Sequence, residues 1–336
     1  MQVGHKLFDN SGKRPLIFSA IPIRDSKTGD PVHDQRIIRN VDSRISEIGK
    51  ALENFHRLDA VSVPELVEEN HEGKPRYNSI YTRMLVRGIA DYLHIDAVVN
   101  KVVVHIDGYV EFVKWLEETS SLGISNIIFV GGNTRHHRYP GPSVSEANIV
   151  ARHLMERGKI KDITVGNICL PERRDEAKKM LLKTITGASF FTTQMLFDHT
   201  QISRLLIDYY SLCQSADIAP ASIFLSFAPL KSTSDLNLLD FLGVDLPEST
   251  KEFILEGDNA KNSSSISIIN ALKVYADVIS TIENEGINVP LGVNVEQLTK
   301  SNLSLSLKML GQFEKIIDKD RTAAQNYASS LSTENI

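Results

Sequence analysis

Short apolar runs alternate with longer amphipathic stretches along almost the whole chain. The runs fall at 16–23, 60–63, 97–105, 126–131, 163–169, 190–197, 222–228 and 291–295. They are rich in Val, Ile and Phe and carry few polar positions, the composition of parallel strands buried on both faces. Between them, apolar residues recur at helical spacing over 41–55, 79–93, 109–122, 145–157, 175–186, 201–216, 234–242 with 251–257, 266–285 and 303–319. Eight strands, each followed by helix, predict an α/β (β/α)8 TIM barrel, a fold that needs about 250 residues and admits insertions. An open doubly wound sheet is the competing architecture. That fold usually opens with a glycine-rich phosphate loop, whereas the first strand here runs into IPIRDSKTGD with no GxGxxG. The pattern therefore predicts one barrel domain over 1–319, with an extra helix and polar loop at 248–265 before the last strand. Residues 320–336 start with helical propensity and end in a Ser/Thr/Asn tract, which predicts a mobile tail.

Strand ends then define where chemistry is expected, because barrel active sites lie at the C-terminal ends of the strands. The first strand ends at Ser19 and the second leads into Glu65, Glu68 and Glu69. The third contains Lys101, the fourth ends in Gly131-Gly132-Asn133, and the fifth carries Asn167 and leads to Arg173 and Arg174. The sixth holds Thr193-Gln194, the seventh Ser226, and the eighth Asn294 and Glu296. A glutamine inside a buried strand costs free energy unless it finds a partner, so Gln194 marks a pocket. Gly131-Gly132 lets backbone approach a ligand closely, and Arg135, His136, His137 and Arg138 suit an anionic group; a solvated basic loop is the alternative. Lys101 within the apolar NKVVV run fits a Schiff-base lysine, an ion pair with Glu65, an anion contact, or a strand-end lysine in water. Glu65 is the carboxylate best placed to act as acid or base. Cys169 is flanked by apolar residues and reads as a small buried hydrophobe. His136 and His137 have no further ligand at metal spacing, so no metal site is expected.

Composition narrows the class. The 336 residues are 42% hydrophobic, enough for a full core, and Lys+Arg 37 against Asp+Glu 42 gives a net charge of −5. No basic footprint points to nucleic acid. No apolar run approaches the roughly 20 residues that span a bilayer, so no membrane is expected. Two cysteines outside any CxxC motif, and an N-terminus without an apolar signal region, predict a cytoplasmic location.

One block is specific enough to suggest a family. Leu170-Pro171-Glu172, then Asp175-Glu176-Ala177, a lysine-bearing helix, and Gly187-Ala188-Ser189-Phe190-Phe191-Thr192-Thr193-Gln194-Met195-Leu196-Phe197-Asp198 resemble the methylenetetrahydrofolate reductase pattern YPE, HPEA, LK, K, GAdf.iTQ.ffD. Weaker echoes are Ile21-Pro22 after the first strand, Ala60–Val63 in the second, and Gly123-Ile124 with 126–133 in the fourth. The resemblance implies a (β/α)8 barrel in one-carbon metabolism. Its members reduce methylenetetrahydrofolate to the methyl form, most with FAD reduced by NADH or NADPH. It implies that Gln194 contacts a folate or pterin and that Lys183 lies near a flavin-contacting basic pair. Strand-end position adds Lys101 and Asn294 as substrate-binding candidates, and Gly131, Gly132, Arg135, His136, Asn167 and Arg174 as cofactor-binding candidates beside Lys183. The pattern is altered where it matters for catalysis. Its glutamate falls at Ser19, its strand-four aspartate at Asn133, its strand-two threonine at Pro64, its strand-three histidine near Lys101, its YPE tyrosine at Leu170 and its HPEA histidine at Arg174. Catalytic candidates are therefore Ser19, Asn133 and a replacement acid at Glu65. Direct hydride transfer without FAD is compatible with these changes. So are a different C1 carrier such as a methanopterin, a non-redox lyase or methyltransferase, and an inactive homo-oligomer or partner of another C1 enzyme.

Overall fold

Eight parallel strands close into a barrel in the order β1-β10-β9-β8-β7-β6-β5-β2. They are β1 (Leu16–Ser19), β2 (Ala60–Val63), β5 (Asp96–Val102), β6 (Asn126–Val130), β7 (Thr164–Cys169), β8 (Phe190–Met195), β9 (Ser222–Phe227) and β10 (Leu291–Glu296). The coordinates are a computed structural model describing residues 7, 13–23, 30–69, 75–78, 81–132, 138–231, 235–236, 239, 260–333 and 336. Among these residues the helices are α1 (Pro31–Leu52), α2 (Thr82–Leu93), α3 (Gly108–Ser121), α4 (Val144–Glu156), α5 (Glu176–Thr186) and α6 (Thr200–Ser215). They continue as α7 (Ala260–Asn284), α8 (Leu303–Ile316) and α9 (Arg321–Ser330). The chain divides into two compact units. One holds Met1–Asp9, Ser19–Ile168 and Leu182–Phe191; the other holds Asn10–Phe18, Cys169–Leu181 and Thr192–Ile336.

The predicted strands form where the apolar runs predict them, and the reason is burial. Phe18, Phe129, Phe190, Phe191, Phe224 and Phe227 are wholly enclosed. Register is tight enough to demand glycine at one crowded point in each unit. A Cβ on Gly166 would lie 2.3 Å from the Phe190 ring, and one on Gly292 would lie 2.6 Å from the Phe224 ring. Neither spacing admits a larger residue without displacement of the ring.

The helices depart from the sequence pattern at their ends. α1 begins ten residues before the predicted 41–55 segment. Asp30 caps it by accepting from the Val32 N–H at 3.1 Å, and Pro31 supplies the preset φ of a first turn. Its first turns are exposed, and burial begins at Ile37, so apolar periodicity could not reveal them. α4 begins on a capping box, with the Ser143 N–H donating to Glu146 at 2.8 Å and the Glu146 N–H donating back to Ser143 at 3.4 Å. The cap holds the Glu146 carboxyl below the usual carboxylate range. A short antiparallel hairpin, β3 (Val67–Glu69) with β4 (Pro75–Asn78), follows β2 and was not predicted, because strands this brief leave no periodic signal.

The C-terminal segment corrects an expectation. Residues 321–330, predicted to fray, form α9, which packs on α7. Asp320 caps it by accepting from the Ala323 N–H at 2.8 Å, Ala324 and Ala328 are buried, and the Tyr327 hydroxyl donates to Gln312 at 2.6 Å. Two alanines one turn apart give a narrow buried stripe that a hydropathy pattern reads as neutral. The predicted helices at 234–242 and 251–257 lie, but for Asp235, Leu236 and Leu239, outside the described residues. One helical stretch, Ser264–Asn284, is long and apolar enough to cross a membrane, but most of it is buried inside the protein.

Candidate functional site

Polar side chains gather at the C-terminal ends of the barrel strands, as two separate groups. The first belongs to β2 and β5. Glu65, two residues past β2, is buried, and its Oε1 lies 2.7 Å from the Lys101 ammonium on β5. Its Oε2 accepts from the Val102 N–H at 2.6 Å. Both carboxylate oxygens thus serve as acceptors, and of the four readings of Lys101 the ion pair is the one found. The Lys101 ammonium also stands 5.7 Å from the Trp115 ring centre. Beside the pair, the Ser62 hydroxyl donates to Asn100 at 3.3 Å. Ser19, at the end of β1, is buried, and the following Ala20 N–H donates to the Ser62 carbonyl at 2.8 Å.

The second group crosses β8, β9 and β10. The Ser226 N–H on β9 donates to the Thr193 hydroxyl oxygen on β8 at 2.9 Å. Ser226 pairs with Asn294 across the β9–β10 ladder. The Asn294 carboxamide donates to the Ser226 hydroxyl at 3.1 Å and to Glu296 Oε1 at 3.0 Å. Thr193, Ser226 and Asn294 are buried, while Gln194 and Glu296 keep partial exposure. Buried groups of this kind must be hydrogen-bonded to be tolerated, and this relay satisfies them within three adjacent strands. Burial pushes the Glu296 carboxyl up to about 7, against the opposing pull of the Ser226 hydroxyl. Such a carboxyl can hold and release a proton near neutrality.

Glu296 stands at the end of the eighth barrel strand, outside the block that carries the family resemblance. Its sequence signal is a carboxylate closing the apolar run LGVNVE. What sets it apart from Glu65 is environment: Glu65 is bound to a cation, and no charge contributes to the shift of Glu296.

The residues expected to hold a flavin are engaged differently. Asn167 is fully buried and trades hydrogen bonds with Asn148, at 2.9 Å and 3.2 Å. The Lys183 ammonium donates to the Ile168 carbonyl at 2.7 Å and lies 5.9 Å from the Phe191 ring centre. The Arg174 side chain is 96% exposed, 3.7 Å from Asp175. A Cβ at Gly132 would fall 2.3 Å from the Tyr139 ring, so that ring occupies the space glycine leaves; Gly131 would meet only Val144 at 3.5 Å. Tyr139 is itself set edge-on against His105, with ring centres 5.3 Å apart. Asn133, Arg135, His136 and His137 lie outside the described residues, as do the side chains of Glu68 and Glu69. The described members of this set therefore do not fit a flavin: the buried ones are committed to the protein itself, and the arginine faces water. Cys169 and Cys213 are both free and buried. Among the described residues no group of three or more His, Cys, Asp or Glu is poised to hold a metal.

Comparison with solved structures bears on this geometry. An uncharacterised protein from Clostridium thermocellum that binds two copies of 5-methyl-5,6,7,8-tetrahydrofolic acid superposes with a TM-score of 0.69 at 17% identity, over 90% of this chain and 96% of that one. The fold is a closed (β/α)8 barrel of eight parallel strands. An EDTA monooxygenase from Chelativorans sp. BNC1 gives a TM-score of 0.49 at 10% identity, over 96% of this chain and 99% of that one. A tryptophan synthase complex from Pyrococcus furiosus gives 0.42 at 11% identity, over 95% and 98%. No family model and no curated protein matches the sequence. At these identities the likeness is one of fold.

Proposed function

We propose that the protein binds a reduced folate, or a related pterin C1 carrier, at the C-terminal ends of its barrel strands. On this reading it reduces the methylene form to the methyl form with hydride from NADH or NADPH. The observation that carries the reading is the polar relay Thr193–Ser226–Asn294 beside Gln194, set in strands that are otherwise apolar. A carboxamide offers one donor pair and one acceptor, which suits the amide-like edge of a pterin. The barrel's likeness to a methyltetrahydrofolate-binding protein supports the same ligand class. The engagement of Asn167 and Lys183 within the protein favours a reading that takes hydride directly from the nicotinamide. The two free, buried cysteines accord with a cytoplasmic setting.

The test is nicotinamide oxidation with methylenetetrahydrofolate, with and without added FAD. Oxidation that does not depend on FAD is expected, and Gln194→Ala is expected to raise KM more than it lowers kcat. No oxidation with either nicotinamide under any flavin condition sinks the reductase reading. A second reading, carrier binding or methyl transfer without reduction, is favoured by Ser19 where the family resemblance expects a glutamate. Tight binding of 5-methyltetrahydrofolate with no nicotinamide turnover is the outcome that selects it.

A further inference from the structure

We propose that Glu296 is the proton donor of this site, taking the part that Ser19 cannot. The inference rests on the reductase reading and deepens it. A methylene group bridging two nitrogens becomes a methyl group only if one carbon–nitrogen bond breaks. The electron pair of that bond stays on the departing nitrogen, which takes a proton. The carbon takes hydride from the nicotinamide, which leaves oxidised. Some group must supply the proton, and a serine hydroxyl is far too weak an acid at neutral pH.

Three observations favour Glu296 over Glu65. Glu296 ends β10, on the side of the barrel where substrates are handled. The residue as a whole keeps partial exposure, while its carboxyl is withdrawn from water at the strand end, the setting in which a carboxyl retains a proton. Its neighbours are neutral: Asn294 from its own strand donates at 3.0 Å, and the Ser226 hydroxyl faces it from β9. From α8, Ser306 meets only its backbone carbonyl, at 3.5 Å. With no cation among the described residues to hold the carboxylate, burial dominates and lifts the carboxyl to about 7. Glu65, between an ammonium and a backbone N–H, has both oxygens engaged as acceptors. After transfer, the Glu296 carboxylate takes up a proton from water before the next turnover. Ser226 and Asn294 act as positioning residues, holding the carboxyl by donating to it.

Glu296→Gln keeps the shape and a donor N–H but has no transferable proton. It is expected to retain 5-methyltetrahydrofolate binding while losing turnover by about a hundredfold or more. Wild-type turnover is expected to fall as pH rises above 7, approaching tenfold per pH unit, and the variant's residual rate is expected to lose that dependence. The carboxyl can also be read without turnover. The infrared carbonyl stretch of a protonated carboxyl, followed in ligand-free protein through neutrality, should titrate near 7, disappear in Glu296→Gln and shift to higher pH in Ser226→Ala. Equal rates for wild type and Glu296→Gln would overturn the donor role and leave the reductase reading standing. A missing protonated band near neutrality overturns the donor role as well. Absence of nicotinamide oxidation by the unmodified protein removes the reductase reading and the donor role together.

Discussion

The Lys101 ammonium lies 2.7 Å from Glu65 Oε1, with the two side chains 15% and 5% exposed. The pair ties β5 to the segment after β2, and the Val102 N–H completes the cage around the carboxylate at 2.6 Å. A charge left alone in such a place is expensive, so Glu65→Gln or Lys101→Met is expected to cost about 3–5 kcal/mol. The double variant should cost less than the sum of the two, because it leaves no unpaired charge. Urea unfolding of the three variants checks this. Borohydride treatment in the presence of carbonyl compounds is expected to leave Lys101 unmodified by mass spectrometry, since its ammonium is committed to Glu65.

Glu296 also makes stability depend on pH in a direction opposite to most carboxylates. Its folded-state value of about 7 stands above the ordinary 4.5. Between those values the folded protein holds a proton that the unfolded chain has lost. Stability is therefore full below the lower value, falls as pH rises through the window, and levels off above the upper one. The whole step amounts to about 3 kcal/mol. Denaturation midpoints measured across the window should show this slope in the wild type. Glu296→Gln should flatten it and be the more stable protein at alkaline pH.

Asn148 and Asn167 are both fully buried and exchange two hydrogen bonds, and Asn148 also reaches the Lys183 carbonyl and the Thr186 hydroxyl, each at 3.3 Å. The cluster locks α4 to β7 and to the end of α5. Asn148→Ala removes the donor to the amide oxygen of Asn167, whose Nδ2 still reaches the Gly166 carbonyl, and is expected to cost about 1–3 kcal/mol. Nicotinamide turnover is expected to survive wherever the variant is folded, a result that separates this structural pair from a cofactor-binding role for Asn167. Activity at a temperature well below the variant's unfolding midpoint is the measurement.

Deleting the chain after Lys319 removes α9 while sparing the Ile317 and Lys319 carbonyls that accept from Arg14 at 3.0 Å and 2.9 Å. A mobile tail could be removed at no cost. A packed helix cannot, and the loss is expected at about 1–3 kcal/mol with new exposure on α7. Thermal unfolding of the shortened chain distinguishes the two.

What the chain states in one dimension is its barrel. Eight buried strands need apolar residues at every position, and LIFS, AVSV, NIIFV and SIFLSF announce themselves because parallel strands see core on both faces. Glu65, Lys101, Asn294 and Gln194 stand out in the sequence by their place at strand ends. Less of the ends was legible. The exposed first turns of α1, the alanine stripe of α9 and the three-residue strand β3 bury too few side chains to leave a periodic mark.

Roles were decided elsewhere. Sequence ranks carboxylates by type and neighbours in the chain, and by that measure Glu65 stands ahead of Glu296. Proton affinity is set by neighbours in space. A lysine on the adjacent strand reaches Glu65, while among the described residues the uncharged Ser226 and Asn294 are the side chains that reach the Glu296 carboxyl. The same holds for Asn167 and Lys183, whose polar groups suit a cofactor until tertiary packing supplies Asn148 and the Ile168 carbonyl as partners. The sequence by itself determined the barrel and the ring of strand ends, because burial acts on every residue of a strand. Which carboxyl keeps its proton was left to the tertiary structure, because desolvation and pairing depend on contacts between residues far apart in the chain.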